Sequence, residues 1–232
     1  MQEVQPEARP LAPGTVLLSF EWLARDEHGG AVVGRVVDAI AKAGLGEASV
    51  AVHHGKDDEL ELLDCAVEGG VMLDGELQVL LYSVDTTLWQ PSRLQLILPS
   101  AFAGRQATRC MQSFEQLASR LDCDFGGICT AHRGSFVPNP SVDPMGLPPP
   151  CWVTLLSVRE FGPAERYQSC GAAVRTVGET HVLIEAAPPP WDHANARSAE
   201  ALREFDRSFK ALHVMSKSVT ANLEALETSE HE

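Results

Sequence analysis

The 232-residue sequence predicts an α+β fold: a mixed, largely antiparallel sheet with amphipathic helices packed on it and a long C-terminal helix. Three observations carry that expectation. Short apolar runs bounded by Gly and Pro recur at strand length. Ala107, Cys110, Met111, Phe114, Leu117, Ala118 and Leu121 hold three-four spacing over several turns. Leu202, Phe205, Phe209, Leu212, Val219, Leu223 and Leu226 repeat that spacing near the end, with Ser216 interrupting the seam. An apolar share of 44% is ordinary for a chain with a buried core. Residues 15–226 therefore read as one domain, between a flexible segment at 1–14 and a disordered acidic tail at 227–232.

Val16, Leu18, Phe20 and Trp22 alternate with smaller or more polar neighbours, the period-two pattern of a half-buried strand, which the polar and glycine-bearing run Asp26 to Gly30 ends. Val32, Val33, Val36, Val37 and Ile40 share one helical face, and Gly44 and Gly46 supply a stop. Ser49 to His54 reads as the next strand, giving a β-α-β opening. Asp57 to Asp64 alternates acidic and apolar residues, as in a short edge strand or a one-turn excursion. Leu77–Val84 and Leu94–Leu98 read as an antiparallel pair. Pro99 and Ser100 then open the amphipathic helix, and Phe125 to Ala131 returns as a strand.

The proline-rich stretch from Val137 to Pro150 reads as a surface loop. Pro148, Pro149 and Pro150 cannot donate to a central ladder, so they form an extended lead-in to a strand at Cys151–Val158. Ala172–Val177 and His181–Ala186 form a hairpin turning at Gly178 and Glu179.

The balance of 18 basic against 32 acidic residues gives a formal charge of −14, which argues against a phosphate-binding surface and points to solubility or a basic partner. The N-terminus has no apolar run after a basic start, so no signal peptide is expected. No run reaches the roughly 18 apolar residues of a membrane helix. The expected location is the cytoplasm, with six reduced thiols; Cys65, Cys110, Cys151 and Cys170 fall in apolar surroundings and read as small hydrophobes.

Chemistry-bearing clusters are weak. Cys123, Cys129 and His132 lack the tight spacing of structural zinc modules, and His53 and His54 point to opposite faces of a strand. No Gly-x-Ser-x-Gly elbow is present, which leaves Cys151 or Cys129 with His132 or His181 as the formal nucleophilic alternative. Gly29, Gly30 and Gly34 match neither a dinucleotide fingerprint nor a P-loop. The carboxylates Asp57, Asp58 and Glu59, and the pair Asp122 and Asp124, fall in polar turns that read as exposed. Such turns keep carboxylates ionised for solvation or recognition rather than for acid-base work. No catalytic, cofactor or metal site is assigned.

The order of these segments resembles immunity proteins of polymorphic toxin and type VI secretion systems, particularly the immunity protein 52 group and the related proline-and-tryptophan-bearing type VI immunity family. The resemblance runs over about residues 15–213. It is carried by Arg93-Leu-Gln-Leu-Ile-Leu-Pro99, by Phe125-Gly-Gly-Ile-Cys-Thr130, and most closely by Cys151-Trp-Val-Thr-Leu-Leu-Ser157. His181-Val-Leu-Ile-Glu185, with Asp192 and Asn195 beyond it, is similar to the family's last strand and turn.

The resemblance implies a stoichiometric inhibitor without enzymatic activity or cofactor, whose partner is a cognate toxin of nuclease type. A nuclease holds phosphates in a basic cleft, so an acidic surface can steer association and occupy that cleft. The expected contact residues are Asp57, Asp58, Glu59 and Glu61, then Asp26 and Glu27, with Trp89 or Trp191 as an exposed aromatic anchor. The alternatives are a cysteine- or histidine-dependent hydrolase or transferase, and an effector chaperone or adaptor using the closing helix.

Overall fold

The computed structural model describes residues 13–22, 38–40, 42–43, 100–131, 142, 147–149, 151–218 and 220–221, and the strand backbones at 47–54, 60–68, 78–84 and 92–98. Among the described residues, nine strands form one sheet: β1 Val16–Trp22, β2 Glu47–His54, β3 Leu60–Glu68, β4 Gln78–Val84, β5 Ser92–Leu98, β6 Phe125–Thr130, β7 Val153–Ser157, β8 Ala173–Val177 and β9 His181–Glu185. Their order is β2-β3-β4-β5-β1-β6-β7-β9-β8.

Every described pairing is antiparallel, so the sheet contains no parallel pair among these strands. The opening keeps its strand-helix-strand order, with residues 38–40 helical between β1 and β2, but the two strands are not neighbours in the sheet. β2 lies at the outer edge, and β3, β4 and β5 walk back from it to pair with β1. β3 is also longer than expected and lies inside the sheet, because β2 and β4 pair with it on both sides. A meander of successive antiparallel strands needs only short turns, whereas a parallel neighbour would need a crossover.

Around β1, β6, β7 and β9 the sheet is covered on both faces. On one face, Val16, Leu18 and Phe20 of β1 join Ile128, Leu155 and Leu183 beneath the helix α1, Ala107–Leu121. Phe114 of α1 stacks on Phe20 with ring centroids 5.0 Å apart. The amphipathic spacing places Cys110, Phe114, Leu117, Ala118 and Leu121 in that core. Ile40, from the segment expected to be helical, is buried in the same cluster, and residues 38–40 are helical. α1 ends where Asp122 takes a left-handed conformation, φ 47°, and its backbone N–H donates to the Ala118 carbonyl.

On the opposite face, Phe125, Leu156, Val182 and Ile184 pack with Phe161, Tyr167, Phe205 and Phe209. Phe161 belongs to the single-turn helix α2, Val158–Phe161, while Phe205 and Phe209 belong to α3, Ala196–Ala211. β7 is buried at every position, with Leu155 and Leu156 in opposite cores and Thr154 and Ser157 as buried polar members, so Val153 to Ser157 shows no apolar-polar alternation.

α3 begins at Asn195, whose side chain accepts from the Arg197 and Ser198 backbone N–H groups. The seam expected to continue to Leu226 is broken after Ala211: His213 is left-handed at φ 46°, and helical turns resume only at 217. Glu160 in α2 supplies the reason. Its carboxylate accepts from Ser216 Oγ at 2.8 Å, Ser218 N at 2.9 Å and Ser218 Oγ at 2.7 Å.

Candidate functional site

The residues expected to meet a partner divide sharply. Asp26, Glu27, Asp57, Asp58, Glu59 and Trp89 lie outside the described residues. Glu61 falls on β3, opposite His54 of β2 and Ser83 of β4. Trp191 is corrected: only 1% of it is exposed, so it is a core residue and offers no anchor to a partner. The run of three prolines before it delivers its backbone onto the α1 side of the sheet, where Trp191 N donates to Ala103 O at 3.0 Å.

Trp191 instead lines a cleft of about 250 Å³, which it shares with Gly14, Thr130, Ala131, Asp192 and His193, among others. His193 lies against the Trp152 ring, centroids 4.9 Å apart, with its Nε2 3.3 Å from Thr130 O. Asp192 accepts from Ala194 N at 2.8 Å. The Trp191 indole N–H is buried without an acceptor among the described residues.

The buried carboxylates hold the structure together. Asp124 was expected in an exposed turn; it is fully buried, and only Asp122 of that pair is exposed. Asp124 accepts from Ser157 Oγ at 3.2 Å and pairs with Arg159. The Asp124 and Ser157 backbones are also bonded, 2.8 Å from Ser157 N to Asp124 O, which brings the carboxylate to the start of α2. Glu21 of β1 accepts from Val142 N at 2.9 Å and so ties the long proline-rich connection to the sheet. A buried carboxylate would cost several kcal/mol if unpaired, and each of these has a donor.

The nucleophilic arrangement considered from the sequence is not assembled from Cys151 and His181. His181 pairs with Ser157 at one end of β7, whereas Cys151 lies beyond Val153 at the other. Four residues of extended strand already span roughly 13 Å. The His181 ring is engaged at both nitrogens, by Cys123 O at 2.8 Å and Thr180 Oγ1 at 2.9 Å. His132 lies outside the described residues. Among the described residues no group of three or more His, Cys, Asp or Glu side chains is placed to hold a metal ion.

Two thiols distant in sequence meet between β6 and the lead-in of β7. Cys129 of β6 donates to Cys151 at an Sγ–Sγ distance of 3.0 Å. The Cys151 thiol in turn lies 3.7 Å from Pro149 O. Gly127 makes the arrangement possible, because a Cβ there would come within 2.6 Å of the Cys151 sulfur. The hydrogen bond shared with Cys129, burial and the nearby Glu21 charge together hold the Cys151 thiol well above its ordinary pKa. The sequence signal is the glycine pair Gly126 and Gly127 in β6, which leaves room for bulk from a neighbouring strand. Nothing in the sequence says that this bulk is a second thiol.

No family model matches the chain, and no curated protein matches it. Among solved structures, it is similar to a Pseudomonas aeruginosa type VI secretion system protein, PA0821. The two share 14% identity at a TM-score of 0.49, over 85% of this chain and 73% of the other. Among the described residues, no helix is long and apolar enough to cross a membrane.

Proposed function

We propose that this chain is a cytoplasmic immunity protein that binds a cognate secreted toxin, of nuclease type, and blocks its active site with an acidic surface. The observation that carries this reading is the formal charge of −14 on a chain whose strand motifs resemble those of toxin-immunity families. A protein of that charge repels nucleic acid and is attracted to a protein that binds nucleic acid. The surface proposed for contact is Asp57, Asp58, Glu59 and Glu61, flanked by Asp26 and Glu27, with Trp89 as the aromatic anchor.

Two features weigh against the alternatives. A cysteine-histidine hydrolase or transferase built on Cys151 and His181 would need the two side chains together, and β7 separates them. An adaptor using the closing helix would need a free apolar stripe, whereas Phe205 and Phe209 of α3 are turned into the core.

The test is recovery of the chromosomally tagged chain from its native cells in moderate salt, followed by mass spectrometry of what remains bound. The expected result is one tight partner that is toxic when expressed alone and harmless when this chain is co-expressed. Failure to neutralise any bound protein, together with turnover of a small-molecule substrate by the purified chain, would replace this reading with the enzymatic one.

A further inference from the structure

We propose that Cys129 and Cys151 are an oxidisable dithiol, which a peroxide converts to an intrachain disulfide that clamps the lead-in of β7 onto β6. The two sulfurs are 3.0 Å apart as thiols, about 1 Å beyond the length of a disulfide bond. Cys129 lies in β6 and Cys151 in the lead-in two residues before β7, where the Trp152 N–H donates to Ile128 O at 2.9 Å and holds that lead-in against β6. Gly127 keeps open the space into which the Cys151 sulfur projects.

The two thiols differ in access, and that sets the order of events. Cys129 is half-buried and meets the oxidant; Cys151 is 1% exposed and follows. The Cys129 thiolate attacks one peroxide oxygen, the O–O bond breaks, and a sulfenic acid and hydroxide form. The Cys151 sulfur then attacks the sulfenic sulfur, the S–O bond breaks, and hydroxide leaves. The two thiol protons convert both hydroxides to water. Two electrons pass from the pair to the peroxide, so two thiols and one hydrogen peroxide give one disulfide and two waters.

The closed ring would enclose the proline-rich connection that Glu21 already holds at Val142. Cys110 and Cys123 provide an internal contrast to Cys129, the thiol that meets the oxidant, since both are fully buried. Burial pushes the Cys110 thiol up to about 12 and the Cys123 thiol higher still, so both stay protonated and poorly reactive.

The experiment exposes the purified full-length chain to hydrogen peroxide, unfolds it, alkylates with N-ethylmaleimide and weighs the intact protein. The expected product carries two fewer labels than the six cysteines allow and is about 2 Da lighter before labelling. Digestion should yield a peptide joining Cys129 to Cys151, and dithiothreitol should restore all six labels. The oxidised protein should also melt at a higher temperature than the reduced one, a shift that Cys129→Ser abolishes. Retention of six labels, a cross-link between other cysteines, or Cys129 advancing to a sulfinic acid with Cys151 still free would each overturn the proposal. The wild-type measurement decides the matter even if the Cys129→Ser variant fails to fold, and it is independent of whether the chain binds a toxin.

Discussion

The indole of Trp152 donates to Thr130 Oγ1 at 2.8 Å across the start of the β6–β7 pair, so the largest side chain of the strand motif is fixed by a polar bond as well as by packing. Trp152 is 1% exposed and lies in the core beneath α1. Its neighbour Cys151 packs in the opposite core, so the bend between them hands the chain from the proline lead-in to both faces of the sheet.

Trp152→Ala should therefore lower stability by about 3–5 kcal/mol through the cavity it leaves. Trp152→Phe should cost less, because it keeps most of the apolar volume and loses the bond to Thr130. Urea unfolding of the two variants checks the order. Equal losses would mean that the hydrogen bond and packing cannot be separated at this site.

Gly127→Ala should cost about 1–3 kcal/mol, since the new methyl would stand 2.6 Å from the Cys151 sulfur in a packed interior. Cys151→Gly should relieve the clash, so the double variant should melt above Gly127→Ala alone. A thermal melt of the single and double variants reads this coupling directly.

Glu160 links stability to pH. Burial raises its pKa, but the bonds from Ser218 N, Ser218 Oγ and Ser216 Oγ, with Arg159 nearby, outweigh burial and hold it below the ordinary carboxylate value. A group depressed in the folded state contributes fully above its unfolded pKa, about 4.3 for Glu. The contribution then falls as pH drops through the folded value. Glu160→Gln should remove that part of the acid-side slope and cost about 1–3 kcal/mol at neutral pH. It should also speed amide exchange at Ser218, whose N–H loses its charged acceptor. Denaturation between pH 3 and 7 and hydrogen exchange measure the two effects.

Charge reversal at Asp58 or Glu59 should weaken association with the proposed toxin, chiefly by slowing its on-rate, and the loss should shrink as salt rises. Stopped-flow binding at two ionic strengths is the readout. Unchanged kinetics in both variants would remove this acidic run from the contact surface and leave the rest of the acidic surface to be tested.

Much of the local structure was legible in the sequence. The strand β1, the three-four spacing of α1 and the Gly178 turn between β8 and β9 each depend on neighbours a few residues apart, and all three form, although β1 is buried on both faces rather than half-buried, with Leu17, Ser19 and Glu21 as inaccessible as Val16, Leu18 and Phe20. The apolar-rich run of β7 was readable as a strand for the same reason. Its burial on both faces also explains why no alternation marks it.

What only the tertiary structure decided are relations between residues distant along the chain. Trp191 and Asp124 carry residue types common at surfaces and interfaces, yet both are buried. The sheet and α1 close over the first; Ser157 and Arg159, more than thirty residues on, satisfy the second. The end of α3 was hidden likewise, because the Ser216 and Ser218 bonds to Glu160 reach back more than fifty residues and outweigh a helical seam. The meeting of Cys129 and Cys151 belongs with these. Local pattern reports which face a side chain takes within its own strand; strand order and register, set by the summed burial of the whole sheet, determine which side chain it meets.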